Sequence, residues 1–372
     1  LYVLERVAVV DGCEASRKQA FRIEERLGSH RPLTLHQRTA SVNPAQSNVP
    51  YFDYLALPLP KVRNRCVAPI DPGLQFVKHR GINNPCGAIM IRDQETINIL
   101  QSNIARFVRE RLIPNEELVA ETDEIPADIV AEMKTMGLFG LTIPEAVGGL
   151  ELTMEEEVLA MLELGRASPA FRSLIGTTVG IGSQGILFDG THAQKEKYLP
   201  RLATGELIAS FALTEPGSGS DAASLRTTAV LDGHDYVVNG TKRFITNAPQ
   251  AGIFTLMART NPAEKGAAGI SAFIVDAGTP GISFGKRDKK MGQRGAHTCD
   301  VIFENCRVPV VNLIGGVEGR GFKTAMKVLD KGRIHIASIC VAVAERMLDD
   351  ALRYAMERKQ FGKPIAEFQL VQ

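Results

Sequence analysis

The chain has 372 residues, with 43 Lys and Arg against 42 Asp and Glu, and 44% of its residues are hydrophobic. A formal charge of +1 supplies no field for a polyanion, so nucleic acid is not expected as a partner. The longest apolar run, 336–344, is far too short to span a bilayer, and six scattered cysteines without a C-x-x-C pair argue against a disulfide framework or a zinc ribbon.

The average conceals two unlike parts. Residues 1–89 carry twelve basic and seven acidic side chains, eight of the 19 prolines, and the cysteines Cys13, Cys66 and Cys86. No helical or strand period survives there for long, so 1–89 is expected to be a disordered extension, or translated sequence upstream of a true start at Met90.

From Met90 the texture changes. Ile97, Leu100, Ile104, Phe107, Val108 and Leu112 recur at helical spacing until Pro114 ends the run. Asp123 or Glu124 opens a second helix carrying Ile129, Val130 and Met133. Thr153 followed by Glu155–Glu157 reads as an N-cap with an acidic first turn. Ala193–Leu202 is a further helix closed by Gly205, so 90–206 forms an N-terminal helical domain. Between 207 and 313 the period becomes two, with β-rich runs at 236–238, 254–258, 270–275 and 301–303 and turns at Asp232-Gly233 and Asn239-Gly240. No strand leads into a helix, which predicts an antiparallel meander or small barrel. After Gly321 one long apolar stripe runs from Ile336 to Ala355, and a further helix is expected from Glu367. The fold class is therefore α+β multidomain, helical then antiparallel β then helical. The last part, 314–372, is expected to be the start of an incomplete C-terminal bundle.

The most pointed chemistry lies at Phe211-Ala-Leu-Thr-Glu-Pro-Gly-Ser-Gly-Ser-Asp221. Two glycines two apart allow a tight turn that brings N–H groups towards an anion, and Thr214, Ser218 and Ser220 add hydroxyl donors, a combination suited to a pyrophosphate. The competing reading is a polar loop leaving a strand. Lys242-Arg-Phe-Ile-Thr-Asn247 sets the aromatic Phe244 two residues before Thr246; the bland alternative for Phe244 is core. Gly315–Gly321 lacks the preceding strand and later acidic residue of a dinucleotide loop and reads as a connection into a helix. Glu215, followed by Pro216, is expected to brace its turn. Glu345 and Glu357 belong to solvated helix faces, and His297 is expected to be structural. Asp349-Asp350 lacks the further ligands of a metal site, so no metal is expected.

Together these segments resemble the acyl-CoA dehydrogenase family, colinearly from about Ile91 to Gln372. The resemblance is carried by Leu138–Glu145 with Gly148-Gly149, Gln194–Gly205, Leu213–Asp221, Asn239–Lys242 with Phe244–Thr246, Met291–Gly295, and Glu357–Gly362 with Phe368-Gln369. It implies a flavoprotein that oxidises an acyl-CoA thioester to the trans-2-enoyl-CoA and passes electrons to an electron-transfer flavoprotein. FAD would lie between the β domain and the C-terminal helices. Phe211, Leu213, Thr214, Gly219 and Ser220 would line it on one side, and Phe244, Ile245 and Thr246 on the other, where Phe244 replaces the usual Trp. Arg358 and Gln369 would reach the FAD of a neighbouring subunit, implying a homotetramer or homodimer. Ser220, Asp330 and Arg333 would hold the CoA portion.

The chemistry needs a base for the α-proton, a glutamate whose pKa rises as the acyl chain expels water. Gly332 stands where a minority of the family place it, so the resemblance implies a base encoded beyond Gln372, and no catalytic residue is assigned. Taken alone, the chain is expected to bind flavin weakly and not to turn over. The other readings are an acyl-CoA oxidase, a nitroalkane oxidase or a flavin monooxygenase of the same fold, or an inactive fragment. The expected compartment is the bacterial cytoplasm, with the mitochondrial matrix as the alternative.

Overall fold

The computed structural model describes residues 91–371 apart from Lys265, and the expectation for 1–89 lies outside these residues. Helix α1 (Gln94–Phe107) starts at Asp93, whose carboxylate accepts from Glu95 N, and continues through a π-helical turn, Val108–Leu112. Short helices α2 (Glu116–Thr122) and α3 (Ala127–Thr135) follow. Helix α4 (Met154–Leu164) opens with a capping box. Thr153 Oγ1 accepts from Glu156 N at 3.3 Å, and the Glu156 carboxylate accepts from Thr153 N at 2.8 Å. Glu156 also accepts from Arg92 N at 2.8 Å, so this cap joins two segments 64 residues apart. Thr153→Ala is expected to cost about 1 kcal/mol, read as a melting temperature lower by a few degrees.

Helices α5 (Pro169–Gly176), α6 (Gln184–Asp189) and α7 (His192–Ala203) complete this part, with a second π-helical turn, Thr177–Gly182, between α5 and α6. The spacing of apolar residues left α5 and α6 unseen, because α5 is buried nearly all round with no polar face to mark a period, and α6, six residues long, is too short to show one.

The sheet contains β1 (Ala209–Ala212), β2 (Thr228–Asp232), β3 (Asp235–Thr246), β4 (Ile253–Arg259), β5 (Ile270–Asp276), β6 (Ile282–Phe284) and β7 (Thr298–Pro309). The order is β1-β4-β2-β3-β7-β6, with β5 on β4. Pairing is antiparallel along β2–β3, β3–β7, β4–β5 and β6–β7, whereas β1 runs parallel to β4 and β2 touches β4 in parallel at Thr228 and Arg259. The parallel contact brings the Phe211 segment alongside the strands formed later in the chain.

Strands β4 and β5 are covered on both faces and buried along nearly their whole length, whereas β3 and β7 alternate buried residues with more exposed ones. Along β5, Ile270, Ala272 and Ile274 enter one core with α7 residues, while Phe273 and Val275 enter the other. Helix α8 (Gly321–Glu357) runs 37 residues; its first half packs on β5 and α4, and its second half leaves Leu348, Leu352 and Met356 exposed. Beyond it the chain does not begin the helix expected from Glu367. Phe361 and Gly362 take left-handed φ values of 52° and 81° and turn β8 (Lys359–Gln360) onto β9 (Lys363–Pro364), and a 3-10 turn covers Ile365–Glu367. Among the described residues no helix is long and apolar enough to cross a membrane, and no cluster of side chains could hold a metal ion.

Candidate active site

Strand β1 carries Phe211 into the core and delivers Leu213-Thr214-Glu215 against β3. The Arg243 N–H donates to Thr214 O at 2.8 Å, Lys242 Nζ to Leu213 O at 3.0 Å, and Ser210 Oγ to Thr246 O at 2.8 Å. The two segments singled out from sequence therefore lie side by side. Glu215 does brace the turn. Its carboxylate accepts from Arg226 N at 2.6 Å, Thr227 N at 2.9 Å and the buried Lys242 ammonium at 2.8 Å. Burial opposes the charge of Glu215, but Lys242 and these bonds outweigh it and hold the carboxyl below its ordinary range.

The glycines of this loop work differently from the expectation. Neither Gly217 nor Gly219 takes a positive φ, so the turn needs no glycine backbone. A Cβ at either would meet nothing within 4 Å. Their contribution is open space on the outer side of the loop, where Ser220 is exposed and Ser218 is tied inward to Asp221 O at 2.7 Å.

Opposite, a bulge between Lys242 and Ile245 breaks the β3–β7 register. Within it Phe244 has φ 58°, a conformation costly for a bulky aromatic, and its ring is 57% exposed with the Arg243 guanidinium 4.7 Å from its centroid. Strain of this kind collects at functional positions. Phe244 is thus not the core residue of the bland reading. Ile245 is; its side chain is 2% exposed and belongs to the sheet core, as Leu213 and Phe211 belong to the other core. Those three can offer a ligand little beyond backbone and a ring edge.

Phe244 and Thr246 open onto a cavity of about 1100 Å³. Its other walls are the end of α5 with the following π-helical turn, the segment 288–298, and α8 around Gly332 and Arg333. Arg333 pairs with Asp330 at the exposed rim. Thr214, Gly219 and Ser220 do not line this cavity, and Arg358 and Gln369 are exposed elsewhere. Arg172 and Gln293 line it and were not anticipated from sequence. Arg172, the one charged residue in 169–186, was the available signal.

Asn247 locks the two walls together. Buried, with φ 59°, it donates from Nδ2 to Ser173 O at 2.8 Å, Leu174 O at 3.1 Å and Thr177 Oγ1 at 2.7 Å, while its Oδ1 has no partner. His297 is structural: its buried ring meets Asp123 O at 2.6 Å and Arg287 at 3.2 Å.

A segment leading into an open glycine loop is hydrogen-bonded to the strand that carries a strained, exposed aromatic, and that aromatic opens onto the cavity. The chain matches the models of the acyl-CoA dehydrogenase N-terminal domain over residues 94–206, middle domain over 210–306 and C-terminal domain over 319–372. It is 42% identical over 268 residues to an acyl-CoA dehydrogenase of Bacillus subtilis, covering 72% of this chain and 70% of that one. It is equally 42% identical over 276 residues to the caffeyl-CoA reductase-Etf complex subunit CarC of Acetobacterium woodii, covering 74% and 72%. Among solved structures, an acyl-CoA dehydrogenase from Bacillus anthracis complexed with FAD is 35% identical with a TM-score of 0.69, covering 75% of this chain and 47% of that one. The chain belongs to the acyl-CoA dehydrogenase family, a family of FAD-dependent oxidoreductases.

The residues present fit FAD. Room is left at Gly217 and Gly219, an aromatic face is exposed at Phe244, and Thr246 opens onto the cavity.

Proposed function

We propose that this chain oxidises an acyl-CoA thioester to the trans-2-enoyl-CoA and passes the electrons to an electron-transfer flavoprotein. The observation that carries the reading is the backbone bond from Arg243 N to Thr214 O, which holds side by side the two segments that would face the flavin, the second of them opening onto the cavity. Thr214, Gly219 and Ser220 would hold FAD from the loop, with backbone help from Phe211 and Leu213. Phe244 would stack, Ile245 would contribute main chain, and Thr246 would supply a hydroxyl donor. Bound there, FAD supplies the two-electron acceptor that an unactivated C–H bond requires.

The chain's own residues orient and enclose the thioester. Gly332 leaves one wall of the cavity without a side chain, and Arg333, Asp330 and Ser220 would meet the CoA portion. Among the described residues Asp288 is the carboxylate lining the cavity, and it already accepts from Thr298 Oγ1 at 2.8 Å, so no catalytic base is assigned. Arg358 and Gln369 point outward, and the exposed apolar residues of α8 favour assembly into a homo-oligomer in which they meet a neighbour's FAD. The domain division 90–206, 207–313 and 314–372 is proposed on the same footing.

A second reading, reduction of an enoyl thioester, is favoured by the likeness to the caffeyl-CoA reductase-Etf complex subunit. The same walls serve both directions. The first test is titration of the full chain with FAD, followed by flavin fluorescence. Phe244→Ala is expected to weaken binding by tenfold or more, because an exposed aromatic face contributes on the order of 1.5–3 kcal/mol when covered. An unchanged dissociation constant would remove Phe244 from the flavin site. Perturbation of the flavin spectrum by butyryl-CoA then tests the thioester, and slow reoxidation in air separates a dehydrogenase from an oxidase.

A further inference from the structure

We propose that Glu157 is a buried proton-exchange site coupled to the cavity, giving up its proton to solvent as an acyl chain fills the space beyond the wall. The inference rests on the acyl-thioester reading above and adds a proton to its binding step.

Glu156 and Glu157 both open α4, but only the first caps the helix. Glu157 is 0% exposed, and neither of its carboxylate oxygens accepts an aligned hydrogen bond. From α8, Lys331 Nζ lies 3.2 Å from Oε2 and His335 Nδ1 lies 3.6 Å from Oε1. From α5, Arg172 is the other charge that acts on it; α1, which packs on α4 as well, brings none among the described residues. Burial raises the carboxyl above its ordinary range, while Lys331 and then Arg172 pull the other way. Glu157 therefore titrates at a less acid pH than a solvated glutamate.

The wall between this group and the cavity is thin. Gly180, in the π-helical turn Thr177–Gly182, lines the cavity, and a Cβ added to it would lie 2.7 Å from His335 Nδ1 and 3.7 Å from Arg172 Nη2. Arg172 reaches both sides: it lines the cavity, is only 9% exposed, and acts on Glu157.

Charge supplies the coupling. Lys331 and Arg172 share one carboxylate, and His335 adds no charge, because burial and then Arg172 and Lys331 hold its imidazole neutral. With Glu157 ionised the group carries a single surplus positive charge; with Glu157 protonated the surplus doubles. Solvent entering the cavity stabilises that charge through the wall, and an apolar acyl chain excludes the solvent. Exclusion costs more beside the doubled charge, so the filled cavity favours the ionised carboxylate. The proton leaves as the chain binds, and by reciprocity protonation weakens binding. Affinity thus rises with pH through the range in which Glu157 titrates and levels off above it.

The test is calorimetric titration of the full chain saturated with FAD, run from pH 5 to pH 8 in pairs of buffers with unlike ionisation enthalpies, so that the protons exchanged are read directly. The probes are pentanoyl-CoA and CoA alone, whose common phosphates cancel in the comparison. Pentanoyl-CoA is expected to release more protons than CoA on the acid side and no excess at pH 8, with its affinity relative to CoA rising about threefold or more across the range. Glu157→Gln is expected to remove both the excess and the rise. Equal proton release by the two probes throughout, or an excess uptake, overturns the proposal whether or not the variant folds. So does an excess that survives in Glu157→Gln, and its loss in His335→Gln would then move the proton to the histidine. Pentanoyl-CoA binding no more tightly than CoA at any pH would sink the acyl-thioester reading first, and this inference with it.

Discussion

Glu215→Gln is expected to destabilise the protein by about 3–5 kcal/mol, the largest effect of any single substitution in the loop region. The reason is what remains behind. Lys242 is fully buried, and burial pushes its ammonium down to about 8 against the pull of Glu215. With the carboxylate present the pair is ionised at neutral pH and two backbone donors, Arg226 N and Thr227 N, are satisfied as well. The amide keeps the shape and one acceptor but withdraws the negative charge, leaving a buried cation and a mismatched donor beside it. Urea unfolding at pH 7 measures the loss. A change below about 1 kcal/mol would mean that water reaches Lys242. Because Lys242 also donates to Leu213 O, the same variant should weaken FAD binding by loosening the loop from β3.

Stability is expected to fall on mild acidification, and His335→Gln to remove part of that fall. His335 is 0% exposed, both ring nitrogens lack partners, and Nδ1 lies 3.6 Å from Glu157 Oε1. Burial first, then Arg172 and Lys331, hold its pKa well below the ordinary value of 6.5. The sign follows from linkage. Above 6.5 the imidazole is neutral in both folded and unfolded chains, so His335 contributes no slope. Below 6.5 the unfolded chain takes up a proton that the native state refuses, and stability drops by up to about 1.4 kcal/mol per pH unit. Glu157 works in the opposite direction: burial raises its carboxyl, so above its ordinary 4.5 the native state takes up a proton first and is favoured as pH falls. It is present in both proteins, so the difference between wild type and His335→Gln isolates the histidine. Denaturant titrations between pH 7.5 and 5 should show that difference changing with pH, and parallel profiles would mean that His335 is protonated in the native state.

These two residues show unequally what the primary structure discloses. Glu215 was legible as a brace because a carboxylate followed by proline in a glycine–serine loop has local work to do, and its partners lie within 27 residues. Nothing local marks His335, whose neighbours Glu157 and Arg172 are more than 160 residues away along the chain and meet it only after α4, α5 and α8 pack.

The same division runs through the whole protein. Local order settled the helical character of 94–203 outside α5 and α6, the cap at Thr153, the period-two strands and the segments 211–221 and 242–247, since each depends on neighbours a few residues apart. Packing decided the rest. The parallel approach of β1 to β4 joins distant stretches, the left-handed φ of Phe244 is imposed by a bulge against β7, and the cavity has walls from four separate segments. Side-chain period reports which face of an element is buried; it carries no information about which distant charge will be buried beside it, and here that pairing sets the electrostatics of the site.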